Sequence, residues 1–171
     1  MKHTIVILAL MLAALNCTAQ NYRIGGDAPK LGKGFTLLTE APPKGHRTTL
    51  VVYYSTLNTA CRKMLSMLNR AATQHKDSLN VILVVRTDDL KSQQGLAIEN
   101  RAYTVMQATP RAVRSVDVRF IPFAYIADPR GRIMWSGNAS YLTPQMISKY
   151  ISDGTYKDST LRSSTPRRTH R

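Results

Sequence analysis

Two apolar runs, TLVVYYS (Thr49 to Ser55) and NVILVVRT (Asn80 to Thr87), bracket a stretch of helical periodicity, and this arrangement limits the fold more than any other feature. Both runs are apolar and β-branched, the first also aromatic, and have the length of a strand buried on both faces, as in a parallel sheet. Between them Cys61, Met64, Leu65, Leu68, Ala71 and Ala72 recur at three- and four-residue spacing, while Arg62, Lys63, Ser66, Arg70 and Thr73 fall elsewhere. This pattern predicts an amphipathic helix over Thr59–Gln74. Asn58 stands at its N-cap, where a side-chain oxygen accepts an otherwise unpaired amide proton.

The flanking segments extend the pattern. FTLLTE reads as a first short strand, after an irregular lead-in over residues 20–34. Lys91 to Ala108 is helix-permissive, and Pro110 marks a break or a new helix start. RFIPFAYIADPRGRIMWSG predicts a strand broken by Pro122, a turn over Asp128 to Gly131 and a returning strand through Trp135. Thr143 and Pro144 open a last helix that ends near Asp153 and Gly154. Residues 155–171 are polar, with four Arg and no acid from Ser159 onward, and read as a disordered basic tail.

At 171 residues the chain suits one domain, over residues 35–154. Residues 1–19 carry one cation at Lys2, an apolar run from Ile5 to Leu15 and a small residue at Ala19, the pattern of a secretory signal cleaved before Gln20. Lipidation at Cys17 is the rival reading, and Asn16 stands where a lipoprotein signal has Gly, Ala or Ser. The run is short for a stable membrane span. Export to a periplasmic or extracellular site is therefore expected. The processed chain keeps 23 Lys plus Arg against 10 Asp plus Glu, a net +13. A single cysteine, Cys61, remains, and one thiol closes no internal bridge.

The order of elements resembles a thioredoxin-like fold: an α/β domain with a central mixed sheet flanked by helices. YYSTLNTACRKMLSMLN resembles the active-site segment of secreted thioredoxin-like proteins of the TlpA and ResA type. There a strand runs into a tryptophan, a Cys-x-x-Cys pair and a helix. AVRSVDVRFIPFAYIADPRGRIMWSG is similar to the family's cis-proline region, with Ile121 and Pro122 at the cis-proline site, and GDAPKLGKGFTLL to its entry segment.

Leu57 takes the tryptophan position and Asn58 that of the attacking cysteine, and an amide neither ionises near neutral pH nor forms a covalent sulfur intermediate. The resemblance makes Cys61 the inward-facing resolving thiol. Two readings stand side by side. In one, Asn58 is a helix cap, Cys61 a small buried hydrophobe, and the groove near Asn58, Ile121 and Pro122 binds or scaffolds a protein or peptide partner. In the other, Cys61 is a weak monothiol oxidoreductase or peroxidase. The peroxidase motif fails at Tyr54 and Asn58, where that family has Pro and Thr or Ser. Pro122 either lends its neighbouring backbone to an added peptide strand or only fixes a bend.

His46, His75 and His170 are scattered without carboxylates or cysteines at ligand spacing, so neither metal nor cofactor is expected. Ser55, Thr56 and Thr59 read as turn and cap residues. The basic residues Arg101, Arg111, Arg114, Arg119, Arg130 and Arg132, with the tail, make weak polyanion binding a further possibility.

Overall fold

The computed structural model describes residues 22–97 and 102–163; the leader and residues 164–171 of the expected tail lie outside them. Six strands form one mixed sheet in the order β1-β4-β3-β2-β5-β6. The two apolar runs become β2 (Thr48–Tyr53) and β3 (Leu79–Arg86), which pair in parallel at the centre. The amphipathic stretch is α1 (Thr59–Gln74), and β1 is Phe35–Leu37. α2 (Leu90–Ala97) leads to β4 (Thr104–Ala108), followed by α3 (Pro110–Ser115), β5 (Phe123–Ala127), β6 (Ile133–Asn138), a 3-10 turn at Ala139–Tyr141 and α4 (Pro144–Ser163).

Alternation along β2 divides the core. Leu50, Val52 and Tyr54 face one layer with Cys61, Met64, Leu68, Ile147 and Ile151, whereas Val51 and Tyr53 face the other with Ile82, Val84, Val113, Phe123 and Tyr125. Both faces of the strand are thus covered, which is why Leu50 to Tyr53 shows no polar/apolar alternation.

Three expectations need correction. The helix-permissive reading of Lys91 to Ala108 fails at its end: Leu90–Ala97 is helical, but Thr104–Ala108 is a strand, because it fills the slot between β3 and β1 and pairs with both. The strand over RFIPFAYIA starts only after Pro122, at Phe123, as a residue without an amide proton requires. The last helix runs on to Ser163 rather than stopping near Gly154, so the tail expected to be disordered from residue 155 is helical over its first part. Gly154 is a close-approach residue: a Cβ there would lie 3.0 Å from Thr48 Oγ1 and 3.4 Å from Pro129 Cδ. Its meaning is packing, not termination.

The lead-in contributes to the fold without regular structure. It pairs with the β6 edge through Gly25 N to Ile133 O and Ile133 N to Gly26 O, both 2.8 Å, and lays Tyr22, Ala28 and Leu31 on the second core layer.

Candidate functional site

The end of β2 and the start of α1 create the site. Asn58 sits at φ −91° and ψ 121°, the extended geometry of an N-cap, and its Oδ1 accepts from Ala60 N at 2.9 Å and Cys61 N at 3.2 Å. With the oxygen committed to two amides, Nδ2 is left to donate, and it does so to Ile121 O at 3.0 Å. One side chain therefore closes the helix start and ties it to the loop before Pro122. The Ile121–Pro122 peptide bond is cis, and Pro122 O accepts from Ala139 N at 3.1 Å.

Cys61 lies in the first turn of α1 and is buried with Met64 and Leu68. Burial pushes its thiol above the ordinary value, outweighing the opposing influence of the Ser55 backbone and the Arg62 charge; Asp89 pushes it further up. A thiol so placed is poor in thiolate.

A cleft of about 260 Å³ opens beside Asn58, lined by Tyr54, Ser55, Leu57, Arg86, Asp89 and Ile121 among others. Leu57, which lines it, is 69% exposed, and Phe120, next in the chain to Ile121, is 48% exposed. Phe120 is steadied from below by an edge-to-face contact with Phe123 at 5.5 Å.

The floor is polar. Asp89 Oδ2 accepts from Ser55 Oγ and Ser92 Oγ, each at 2.5 Å, and Oδ1 accepts from Ser92 N at 3.1 Å. Thr56 N donates to Ser92 Oγ at 2.7 Å, and Arg62 reaches back to Thr56 O and Thr59 Oγ1. Burial raises the Asp89 carboxyl, but the hydrogen bonds from Ser55 and Ser92 together outweigh it and hold the group below its usual range. The network fixes the Tyr54–Asn58 loop against the start of α2.

Asn58, Ile121 and Pro122 thus meet at one place, with Cys61 directly behind them. Thr56 lies in a turn as expected, whereas Ser55 joins the Asp89 network and Thr59 is the first residue of α1, capped by Asn58. Asp89 and Ser92 were not anticipated; the available signal was an Asp three residues before a Ser at a helix start, an N-cap spacing. His75 lies elsewhere, with Nε2 3.3 Å from Ser148 Oγ. Among the described residues no three His, Cys, Asp or Glu side chains are grouped so as to hold a metal ion, and no helix is long and apolar enough to cross a membrane.

No protein-family model and no curated protein sequence matches the chain. Solved structures do. A thioredoxin-like protein in its oxidised form is 17% identical, with 77% of this chain and 97% of that one covered at a TM-score of 0.61. StoA from Bacillus subtilis is 15% identical, covering 63% of this chain and 84% of that one at 0.52. The exposed lipoprotein thioredoxin of Streptococcus pneumoniae is 16% identical, with 63% and 85% covered at 0.52. The fold is thioredoxin-like.

Proposed function

We propose that this chain is an exported thioredoxin-like domain of the TlpA and ResA type that has exchanged dithiol chemistry for binding. Its partner is an extended protein segment laid along the groove between Asn58 and Ile121–Pro122. The observation that carries this reading is the double role of Asn58. The side chain at the attacking position caps α1 and holds the Ile121 carbonyl, and so has a structural task that no thiol would perform. The Ile121 carbonyl keeps a second lone pair for a partner amide, and the exposed Leu57 and Phe120 supply apolar contact. Export is supported by the leader pattern of residues 1–19, and the intact mass of the exported chain tests both cleavage before Gln20 and the absence of lipid.

The monothiol reading has less support, since Cys61 is buried and its thiol is pushed up. Alkylation of the native chain separates the two: labelling confined to the unfolded state favours binding, and fast native labelling favours the enzyme.

The sharper experiment is Asn58→Cys. A thiol at the N-terminus of α1 would be acidified by the helix dipole and lie within reach of Cys61. A disulfide and partial insulin-reduction activity are expected, against none in the natural chain. Activity would be partial because Leu57 and Phe123 alter the groove. Two free thiols under oxidising conditions would show that residue 58 is not the vacated nucleophile position. Asn58→Ala should cost about 1 kcal/mol through the lost cap and leave redox activity at zero.

A further inference from the structure

Two sets of cations in the described structure differ in their local charge balance. Arg86, Arg119, Arg130 and Arg132 are each paired with a carboxylate, from Asp88, Asp117, Asp128 and Asp27 respectively. By contrast, residues 41–76 contain Lys44, Arg47, Arg62, Lys63, Arg70 and Lys76 and not one Asp or Glu. None of these six has a carboxylate partner among the described residues. The second-half basic surface is therefore neutralised in part, at Arg119, Arg130 and Arg132 but not at Arg111 and Arg114, and the longest acid-free basic stretch among the described residues is α1 with its flanks.

The geometry of α1 gathers that charge onto one side. Cys61, Met64, Leu68, Ala71 and Ala72 face the core, so Arg62, Lys63 and Arg70 share the opposite, exposed face. Arg47 lies near the far end of the helix, where it donates to the Lys76 carbonyl. From Arg62 to Arg70 the row covers about 12 Å of the 16-residue helix. Met67, only partly buried, stands four residues after Lys63 and three before Arg70, an apolar side chain between two cations.

We propose that this face of α1 seats the protein on a bilayer of anionic phospholipid. The face is one convex helix, not a groove that would track a nucleic-acid backbone, and α1 carries no Phe, Tyr or Trp on which bases could stack. A bilayer meets a convex row along its whole length, and its headgroups diffuse to match any spacing of cations. The seat is electrostatic and reversible, and it is separate from the groove at Asn58.

The test is vesicle co-sedimentation of the full chain. Vesicles of phosphatidylcholine with about 30% phosphatidylglycerol are compared with pure phosphatidylcholine, at about 0.05 M and about 0.5 M NaCl. The neutral vesicles read any insertion of the apolar Ile5 to Leu15 run. Partitioning to anionic vesicles should exceed that to neutral ones at least about tenfold and collapse at high salt. Each cation near an anionic surface is worth about fivefold, so K63E/R70E should lower partitioning about 20-fold or more. R119E/R132E, with the same change in net charge at ion-paired positions, should lower it less than about threefold. Circular dichroism checks folding, and K63Q/R70Q gives a milder second reading with the same expected order. Equal losses in the two charge-reversed proteins, or equal binding to neutral vesicles, would overturn the proposal. So would a short DNA duplex that displaces the protein from vesicles at equal phosphate.

Discussion

The two faces of the sheet are covered by different means. On one, α1 and α4 press regularly spaced aliphatic side chains such as Leu68, Ile147 and Ile151 onto Leu50 and Val52. On the other, the short α3 and the irregular lead-in cover Val51, Tyr53, Phe123 and Tyr125. There the filling is aromatic: Tyr22 packs on Phe123 with centroids 4.6 Å apart and on Tyr125 at 5.4 Å. Helices supply small, periodic knobs, whereas a loop fills space with a few large rings and brings their hydroxyls inside. Ile121 packs against both layers, so the groove lies on the seam between a regular and an irregular cover.

The largest expected effect separating the faces is alkaline. Burial pushes the Tyr53 and Tyr125 phenols well above their ordinary value of 10.0. They stay neutral in the folded chain while the same groups ionise near that value once unfolded. Their contribution to stability is thus complete below about pH 10 and falls above it, by up to about 1.4 kcal/mol per pH unit for each tyrosine. Denaturant titrations between about pH 8 and pH 12 should show this loss, and Tyr125→Phe should flatten it. Cys61 on the helical face is also pushed up, so the comparison is made in a Cys61→Ala background. An unchanged slope in Tyr125→Phe would remove the aromatic face from the explanation.

Next comes Leu68→Ala, which opens a void under the helical cover. Leu68 is fully buried between α1 and the sheet, and a truncation of this kind costs about 2–5 kcal/mol. The midpoint of urea unfolding measures it. A loss below about 1 kcal/mol would mean that α1 collapses into the void and that the helical face is no more rigidly packed than the loop-covered one.

The same division sets how much was legible in the sequence. β2, α1 and β3 follow from periodicity because each buries residues in a repeating pattern, and α1 occupies its expected span of Thr59–Gln74. β4 was hidden within a helix-permissive stretch, since what makes Thr104–Ala108 a strand is a vacancy between β3 and β1, created by residues distant in the chain. The packing role of Tyr22 was equally invisible, because a loop leaves no period to read. At the site, Asn58 and Pro122 were legible through their resemblance to a motif. The tie from Asn58 to Ile121 was not, because it spans 63 positions. Asp89 showed only a capping signal, with nothing to place it beneath Ser55.

The smallest effect has the opposite sign to the others. The Tyr53 hydroxyl is buried without a hydrogen-bond partner, and that of Tyr22 nearby is likewise unpartnered. The two hydroxyls act on one another's ionisation as a hydrogen-bonded pair does, but no well-formed hydrogen bond joins them. A buried polar group without a partner costs about 1–3 kcal/mol relative to its hydrated state, so Tyr53→Phe, which keeps the ring and removes the oxygen, should stabilise the chain, by about 1 kcal/mol at most once the small void is counted. A thermal melt near neutral pH, where both rings are un-ionised, reads this directly. The ring stays in contact with Phe123, whose centroid is 6.2 Å away, so packing across the seam to Ile121 is preserved and peptide binding at the groove should not change. Destabilisation of about 1 kcal/mol or more would show that the Tyr53 hydroxyl has a partner in solution, and that the aromatic face is held by polar contacts as well as by its rings.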